Sequence, residues 1–173
     1  MNNALRCMLV TGMFGLVGGC AQQRYEPTVA PRPAPAERWT FTPVEAKYLD
    51  TQSPARNFQY VLEQTARQCR PQADMGYILY NQLRGYGSSK RPDDNAQALA
   101  DCQAYATRQG DAAIARLMQS KVSAKTMELS KDLYSKWSVY VSGMTIYAPK
   151  DSFAQDQYET SSRALLAEDK FAK

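Results

Sequence analysis

The stretch DAAIARLMQSKVSAKTMELSKDLYSKWSVYVSGMTIYA, residues 111–148, contains no proline and carries large apolar side chains at helical spacings. The residues that can share one stripe are Ile114, Met118, Val122, Leu129, Leu133, Trp137, Val141 and Met144. Spacings of three, four and seven residues are typical of one face of an α-helix. The sequence therefore predicts one long helix near residues 111–148, about 57 Å in length at 1.5 Å per residue.

The end of this stretch, residues 138–147, fits a helix least well. Val139, Val141 and Ile146 favour a strand, and Gly143 weakens a helix. The local pattern leaves helix and strand open. We expect a helix, because no other segment alternates convincingly enough to pair with a strand here.

Shorter helical patterns precede this stretch. Ser53 and Pro54 make an N-cap and a first helical residue, and apolar positions then recur at spacings of three and four until Pro71. A proline inside a helix removes a backbone hydrogen bond, so we expect this helix to end there. A second, short helix is expected over residues 75–83, where a segment rich in glycine and serine stops it.

Two further helical patterns complete the predicted body. One begins at Asp94, and Gly110 is expected to end it, since glycine is the favoured residue just after a helix. Asp151 or Ser152 caps a last helix. These patterns predict an all-α protein, a small helical bundle that comprises residues 43–173.

Composition limits the function classes that need to be considered. The chain has 173 residues, of which 44% are hydrophobic and 22% charged, as in an ordinary globular domain. Its net charge of +4 is too small to require a nucleic-acid partner, and we expect none. It contains no histidine, which excludes histidine-based triads, general bases and zinc sites.

Residues 1–19 have the layout of an export signal. Arg6 and the α-amine supply positive charge, and residues 7–17 are an almost uninterrupted apolar run. That run is shorter than the roughly 20 residues that span a bilayer. Two glycines then precede Cys20, where a cleavage site is expected. The sequence predicts a signal peptide over residues 1–19 that is removed from the mature chain.

The end of this signal resembles a known processing site. It is similar to the lipobox of bacterial lipoproteins in its residues Leu16-Val17-Gly18-Gly19-Cys20. In that family the cysteine is acylated, commonly with palmitate, and becomes the first residue of the mature chain. The resemblance covers residues 1–20 only. It implies a lipid anchor at Cys20, and the Ala21 that follows implies sorting to the outer membrane, facing the periplasm, with surface exposure left open.

Residues 20–42 are predicted to be the lipidated cysteine and a linker. Few large apolar side chains occur before residue 38, and the prolines of this segment are Pro27, Pro31, Pro33 and Pro35. Alternating prolines favour an extended polyproline conformation, so at about 3.1 Å per residue, residues 21–38 reach up to roughly 55 Å from the lipid. We expect a disordered, proline-rich tether.

Cys69 and Cys102 are the two cysteines that fall within the predicted body. Exported chains meet an oxidising compartment, and both residues lie on apolar faces of predicted helices. The sequence predicts a disulfide between Cys69 and Cys102, with two buried free thiols as the alternative.

Motifs for catalysis, metals and cofactors do not stand out. No lysine follows a serine by three residues, which is the helical spacing of an acylating Ser-Lys pair. Paired carboxylates are the remaining route to a hydrolase, but the acidic residues are better explained by helix ends. The residues considered are Asp93, Asp94, Asp151, Asp156, Glu159, Glu168 and Asp169. We expect a protein that is not an enzyme and that carries no metal and no cofactor.

Aromatic residues concentrate in the last third of the chain. Tyr134, Trp137, Tyr140 and Tyr147 can line a surface for a partner or close the core. Core packing is the default, whereas an adaptor requires an exposed patch around Trp137. We expect a non-catalytic envelope adaptor or structural component, for example of a secretion or conjugation apparatus. It would contact the membrane through its lipid and an envelope protein or peptidoglycan through its body; a lipid-anchored hydrolase of cell wall or lipid is the alternative.

Overall fold

The computed structural model describes residues 39–84 and 92–171. They form four helices: α1 (Pro54–Arg84), α2 (Pro92–Met118), α3 (Ala124–Ser142) and α4 (Ser152–Phe171). Within these two ranges there is no β-strand. The prediction of an all-α, small helical bundle is confirmed. The signal peptide, Cys20 and the tether up to residue 38 lie outside the described residues.

Helix α1 does not end at Pro71 but continues through it to Arg84, so the prediction of a separate helix over residues 75–83 was wrong. Pro71 is exposed, while Cys69 and Ala73 on either side of it are buried. A proline in a helix interior costs about 3 kcal/mol. Packing on both sides of Pro71 offsets that cost, because the core face of the helix is uninterrupted.

Helix α2 does not end at Gly110 but extends to Met118. Gly110 is buried, and a Cβ atom added there would lie 2.5 Å from the Trp137 ring. Glycine therefore serves at this position to let α2 and the indole of α3 approach closely, and not to terminate a helix.

The prediction of a single long helix near residues 111–148 was also wrong. The chain leaves the helical conformation after Met118 and resumes it at Ala124. Ser123 caps α3 by accepting the backbone N–H of Thr126 at 3.0 Å. The turn lets α3 fold back, so that Leu117 of α2 and Leu133 of α3 are both buried in one core. Of residues 138–147, those up to Ser142 are helical and the rest form neither helix nor strand.

Two packed pairs make up the bundle. Helix α1 packs mainly on α2, and α3 packs mainly on α4. Trp137 of α3 joins the pairs, since its buried indole N–H donates to the Leu62 carbonyl of α1 at 2.9 Å. The largest fully buried side chains around it are Phe58, Leu62, Leu117, Leu133, Ile146 and Leu165.

Residues 39–53 lie along α1 without forming a helix. The backbone N–H and C=O of Val44 each bond the Gln68 side chain at 2.8 Å, and Asn57 bonds the backbone of Leu49 in the same two-sided way. Trp39 donates to Gln72 further along α1. The packed body therefore includes residues 39–42, which composition alone places in the linker.

Candidate binding site

The predicted cysteine pair is confirmed. The Sγ atoms of Cys69 and Cys102 are bonded at 2.04 Å, and their Cα atoms lie 5.4 Å apart. Both residues are fully buried. The bond ties α1 to α2 beside the Trp137 core and closes a loop with a sequence separation of 33.

The predicted partner surface is wrong for Trp137, its central residue. Trp137 is 1% exposed and Tyr140 is 5% exposed, because a small bundle uses its largest aromatic side chains to fill the core. Tyr134 is half-buried against Trp137, whereas Tyr147 is 55% exposed with its ring edge-on to Tyr80. These side chains do not form one exposed patch.

Tyr134 is held by a carboxylate of the neighbouring helix. Its hydroxyl donates to Asp111 Oδ1. Burial, and then the hydrogen bond to Asp111 and the charge of that residue, raise the pKa of Tyr134 to about 12. The phenol is therefore a neutral donor that links α3 to α2.

Two of the acidic residues considered from the sequence, Asp151 and Asp169, have structural roles at helix ends. Asp151 caps α4 by accepting the Ala154 N–H at 3.1 Å. Asp169 ties the end of α4 to the start of α1, where it accepts hydrogen bonds from Ser53 at 2.6 Å and Arg56 at 2.9 Å. These contacts agree with the expectation that such residues mark helix ends.

A buried serine lies near a lysine between α3 and α4. Ser161 Oγ donates to Asp132 at 2.7 Å, and Lys136 Nζ donates to the same carboxylate oxygen at 2.9 Å. Hydrogen bonds from Lys136 and Ser161 lower the pKa of Asp132. Ser161 is 4% exposed and its proton points at a carboxylate, so this cluster is a helix contact and offers no accessible nucleophile.

The candidate site is a groove between α1 and α4 with a cavity volume of about 400 Å³. Each wall carries glutamine, glutamate and arginine at intervals of four residues. The α1 row is Gln59, Glu63 and Arg67, and the α4 row is Gln155, Glu159 and Arg163. We call these two sets the Gln-Glu-Arg rows.

The two rows have similar internal contacts. In α1 the Gln59 amide donates to Glu63 at 3.0 Å, and Arg67 donates to the other oxygen of that carboxylate at 3.4 Å. In α4 the Gln155 amide donates to Glu159 at 2.5 Å, and Arg163 lies 4.0 Å from it. Each glutamate is thus held by the residues one turn before and one turn after it.

The two rows run in opposite directions. Arg56 meets Asp169, and three residues later Gln59 donates to Ser162 Oγ at 3.1 Å, so α1 and α4 are antiparallel along this seam. Continuing one turn places Glu63 level with Glu159. One further turn in either direction places the arginine of one row level with the glutamine of the other.

Two stacked tyrosines form the floor between the rows. The rings of Tyr140 and Tyr158 are 5.5 Å apart and nearly parallel. Burial raises the pKa of Tyr158 far above its ordinary value, and the charges of Glu63 and Glu159 raise it further. Both carboxylates therefore lie close to the Tyr158 phenol, in the middle of the groove.

The groove holds one acceptor without a donor. Gln155 Oε1 is buried and has no hydrogen-bond partner within the described part of the chain. A buried acceptor left without a donor costs about 1–3 kcal/mol.

The groove continues at both ends into neighbouring depressions. It shares Arg163 and Leu166 with one that also holds Lys170 and Phe171. It shares Arg70 and Tyr140 with another, lined in part by the turn after α3. We call the groove and these two depressions the α1–α4 trough.

Metal ligation and membrane crossing find no support in the described residues. Across residues 39–84 and 92–171, no three Asp, Glu or Cys side chains are grouped so that they could hold a metal ion. None of the four helices combines the length and the apolar character needed to cross a bilayer.

The site residues were missed in the sequence, although a signal was present. The spacing Gln-x₃-Glu-x₃-Arg occurs at residues 59–67 and again at residues 155–163, and both copies fall on predicted helices. Nothing in the sequence says that the two copies face each other. Comparisons with protein-family models, with curated proteins and with solved structures find no match to this chain.

Proposed function

We propose that this chain is the precursor of a membrane-anchored bacterial lipoprotein whose helical body is a non-catalytic adaptor of the cell envelope. The lipobox-like residues ending at Cys20 support the anchor. Acyl chains contribute about 0.8 kcal/mol per buried methylene, so two or more hold a protein on its membrane. The mature body is proposed to face the periplasm from the outer membrane, as a component of an envelope machine.

The observation that carries the adaptor proposal is the α1–α4 trough. It joins a tyrosine floor to charged walls, and it lies on a bundle braced by a disulfide. Aromatic residues and arginines are the side chains most enriched where proteins bind one another. A rigid element with such a surface is suited to holding a partner.

The facing glutamates favour one alternative, a lipid-anchored hydrolase of cell wall or lipid. Such enzymes place two carboxylates across a cleft and give them different surroundings, so that one acts as acid and the other as base or nucleophile. Glu63 and Glu159 each have a glutamine one helical turn before and an arginine one turn after, within contact distance. That likeness supplies no division of roles, and we therefore favour the adaptor.

The anchor is tested by mass spectrometry and membrane fractionation of the full-length protein. We expect the mature chain to begin at an acylated Cys20, and Cys20→Ala to block processing or release the protein. Cys7→Ala is the matched control and should change neither result, since Cys7 lies in the signal. An intact Met1, or an unmodified mature N-terminus, would contradict the proposal.

The adaptor is tested against the hydrolase by incubating the acylated protein with peptidoglycan and with phospholipid vesicles. We expect no turnover of either substrate. Turnover that is abolished by Glu63→Gln or Glu159→Gln, and retained in the matched variant Glu128→Gln on α3, would establish the hydrolase instead.

A further inference from the structure

We infer that the α1–α4 trough binds one α-helix of a partner protein, and that this helix carries an acidic, a basic and an acidic residue four positions apart. The inference rests on the proposed adaptor function and names the chemistry of its partner. It follows from the charge order of the trough, from its spacing and from its floor.

The charge order of the trough is cationic, anionic, cationic. Glu63 and Glu159 face each other in the middle. Arg67 lies beyond the pair on one side and Arg163 on the other, because the rows are antiparallel. The complementary ligand therefore has a cation in its middle and an anion on either side.

The arginines have donors to spare for such anions. Each guanidinium has five N–H donors, and the carboxylates beside Arg67, Arg70 and Arg163 lie at 3.4, 3.7 and 4.0 Å. Exposed ion pairs within a helix contribute only about 0.3–0.5 kcal/mol. The arginines can therefore turn toward an incoming carboxylate at little cost.

The spacing of the charges matches a helix. Successive charges along either row are four residues apart, about 6 Å along the axis at 1.5 Å per residue. A partner helix with charges at the same interval presents them in register with the rows. The trough is also long enough, since it extends from Arg56 to Asp74 in α1, about 27 Å by the same rise.

The floor of the groove suits the apolar stripe of such a helix. Ala66 and Leu166 flank the stacked rings of Tyr140 and Tyr158. An amphipathic helix that enters a groove buries its apolar face on such side chains and places its charges at the edges.

A second copy of this chain does not fit as the occupant. Among the described residues, an acidic residue is followed four positions later by a basic one at Glu63, Asp132 and Glu159. Four positions further the residues are Pro71, Tyr140 and Ala167, none of them acidic. The partner helix therefore belongs to a different protein.

The inference is tested with synthetic helical peptides and the acylated full-length protein in nanodiscs. One peptide, built on alanine and glutamine, carries Glu, Lys and Glu at four-residue intervals. Its control carries the same residues in the order Glu, Glu, Lys, so composition and net charge are equal. Fluorescence anisotropy should show about tenfold tighter binding of the first peptide, weakened by added salt. Equal affinities would overturn the inference.

Exchanging the charges of both rows gives the sharpest variant. The substitutions Glu63→Arg, Arg67→Glu, Glu159→Arg and Arg163→Glu keep one opposite-charge pair in each helix and reverse the order of the trough. This variant should prefer a Lys, Glu, Lys peptide to the Glu, Lys, Glu peptide. Unchanged preference in a variant whose circular dichroism matches the parent would contradict the inference.

A milder variant covers the case in which the exchange unfolds the protein. Glu63→Gln with Glu159→Gln removes only the central charges and should weaken the Glu, Lys, Glu peptide about tenfold. Glu128→Gln, an exposed glutamate on α3 beside Lys125, is the matched control and should leave binding unchanged. Equal loss in both variants would overturn the inference.

Two further measurements test whether the trough is occupied by the cell wall or by a second copy of this chain instead of a partner helix. A soluble peptidoglycan stem peptide that displaces the Glu, Lys, Glu peptide and binds more tightly would assign the trough to the cell wall. Sedimentation showing a dimer that loses its affinity in the Glu63→Gln, Glu159→Gln variant would assign it to a second copy. Either result overturns this inference. The proposed function is tested separately, because acylation of Cys20 and absence of turnover are measured without the peptides.

Discussion

Gly110 marks the closest approach between α2 and the indole of Trp137. A Cβ atom at Gly110 would lie 2.5 and 2.6 Å from two ring carbons. In an exposed helix interior, Gly→Ala stabilises by about 0.8–1.0 kcal/mol. Here we expect Gly110→Ala to destabilise by about 1–3 kcal/mol, because the buried ring cannot move without repacking the core. Urea unfolding decides the sign, and a gain in stability would contradict the packing described for Trp137.

The Tyr134 phenol should make the free energy of unfolding depend on pH in the alkaline range. Its pKa is raised from 10.0 to about 12 in the folded protein. A group whose folded pKa is raised contributes stability below its unfolded pKa and loses that contribution as pH rises through the folded value. The free energy of unfolding should therefore fall between pH 10 and 12, and Tyr134→Phe should reduce the slope. An equal slope in the variant would contradict the Asp111 contact.

Residue spacing predicts which residues share a face more reliably than it predicts what the face contacts. Trp137 and Leu133 lie on the predicted stripe and are buried, as core packing requires. The pattern could not separate core from exposed partner surface, since both use aromatic side chains at the same spacing. That decision depends on which helix lies opposite, which is set by the turn after α2.

Between the helices, the Cys69–Cys102 disulfide is the covalent bond that joins α1 to α2. Cys69→Ala with Cys102→Ala should lower the free energy of unfolding by roughly 3–4 kcal/mol, because the unfolded chain regains the entropy of a loop with a sequence separation of 33. Reductant should lower the thermal midpoint of the parent protein and leave that of the variant unchanged. A parent protein that is indifferent to reductant would contradict a structural role for the bond.

The turn between α2 and α3 depends on a cap. Ser123→Ala removes the acceptor for the Thr126 N–H and should cost about 1 kcal/mol. Ser123→Asp retains an acceptor at the same position and should cost much less. Thermal unfolding followed by circular dichroism compares the two variants. Equal losses would show that the side-chain oxygen at this position does not hold the start of α3.

Sequence reasoning predicted helices in this body correctly and misplaced several of their ends. Pro71 and Gly110 have the local chemistry of helix ends, yet tertiary packing carries α1 and α2 through both positions. The opposite error occurred at residues 119–123, which have no proline or glycine and nevertheless form the turn. Tertiary packing overrides the local preference for a helix end when the buried face of the helix continues beyond that residue.

At the scale of the whole molecule, the trough is built by two segments almost a hundred positions apart. The repeated Gln-Glu-Arg spacing is visible in the sequence, but its meaning depends on the antiparallel docking of α1 and α4. Single-sequence periodicity carries no such long-range pairing. The disulfide was predictable because export to an oxidising compartment was expected and the two cysteines of the predicted body allow one pairing. The six amide and charged side chains of the two rows can pair in many ways.

Site-specific photo-cross-linking in intact membranes tests whether the lipid-tethered body holds an envelope partner in the α1–α4 trough. A photoreactive amino acid at Leu166, inside the trough, is compared with one at Arg108, which is exposed on α2. We expect one defined cross-linked protein from Leu166 and none from Arg108, with the cross-linked peptide lying in a helix of acidic, basic, acidic order. Absence of a cross-link from Leu166, or the same product from both positions, would show that the trough does not hold a specific partner.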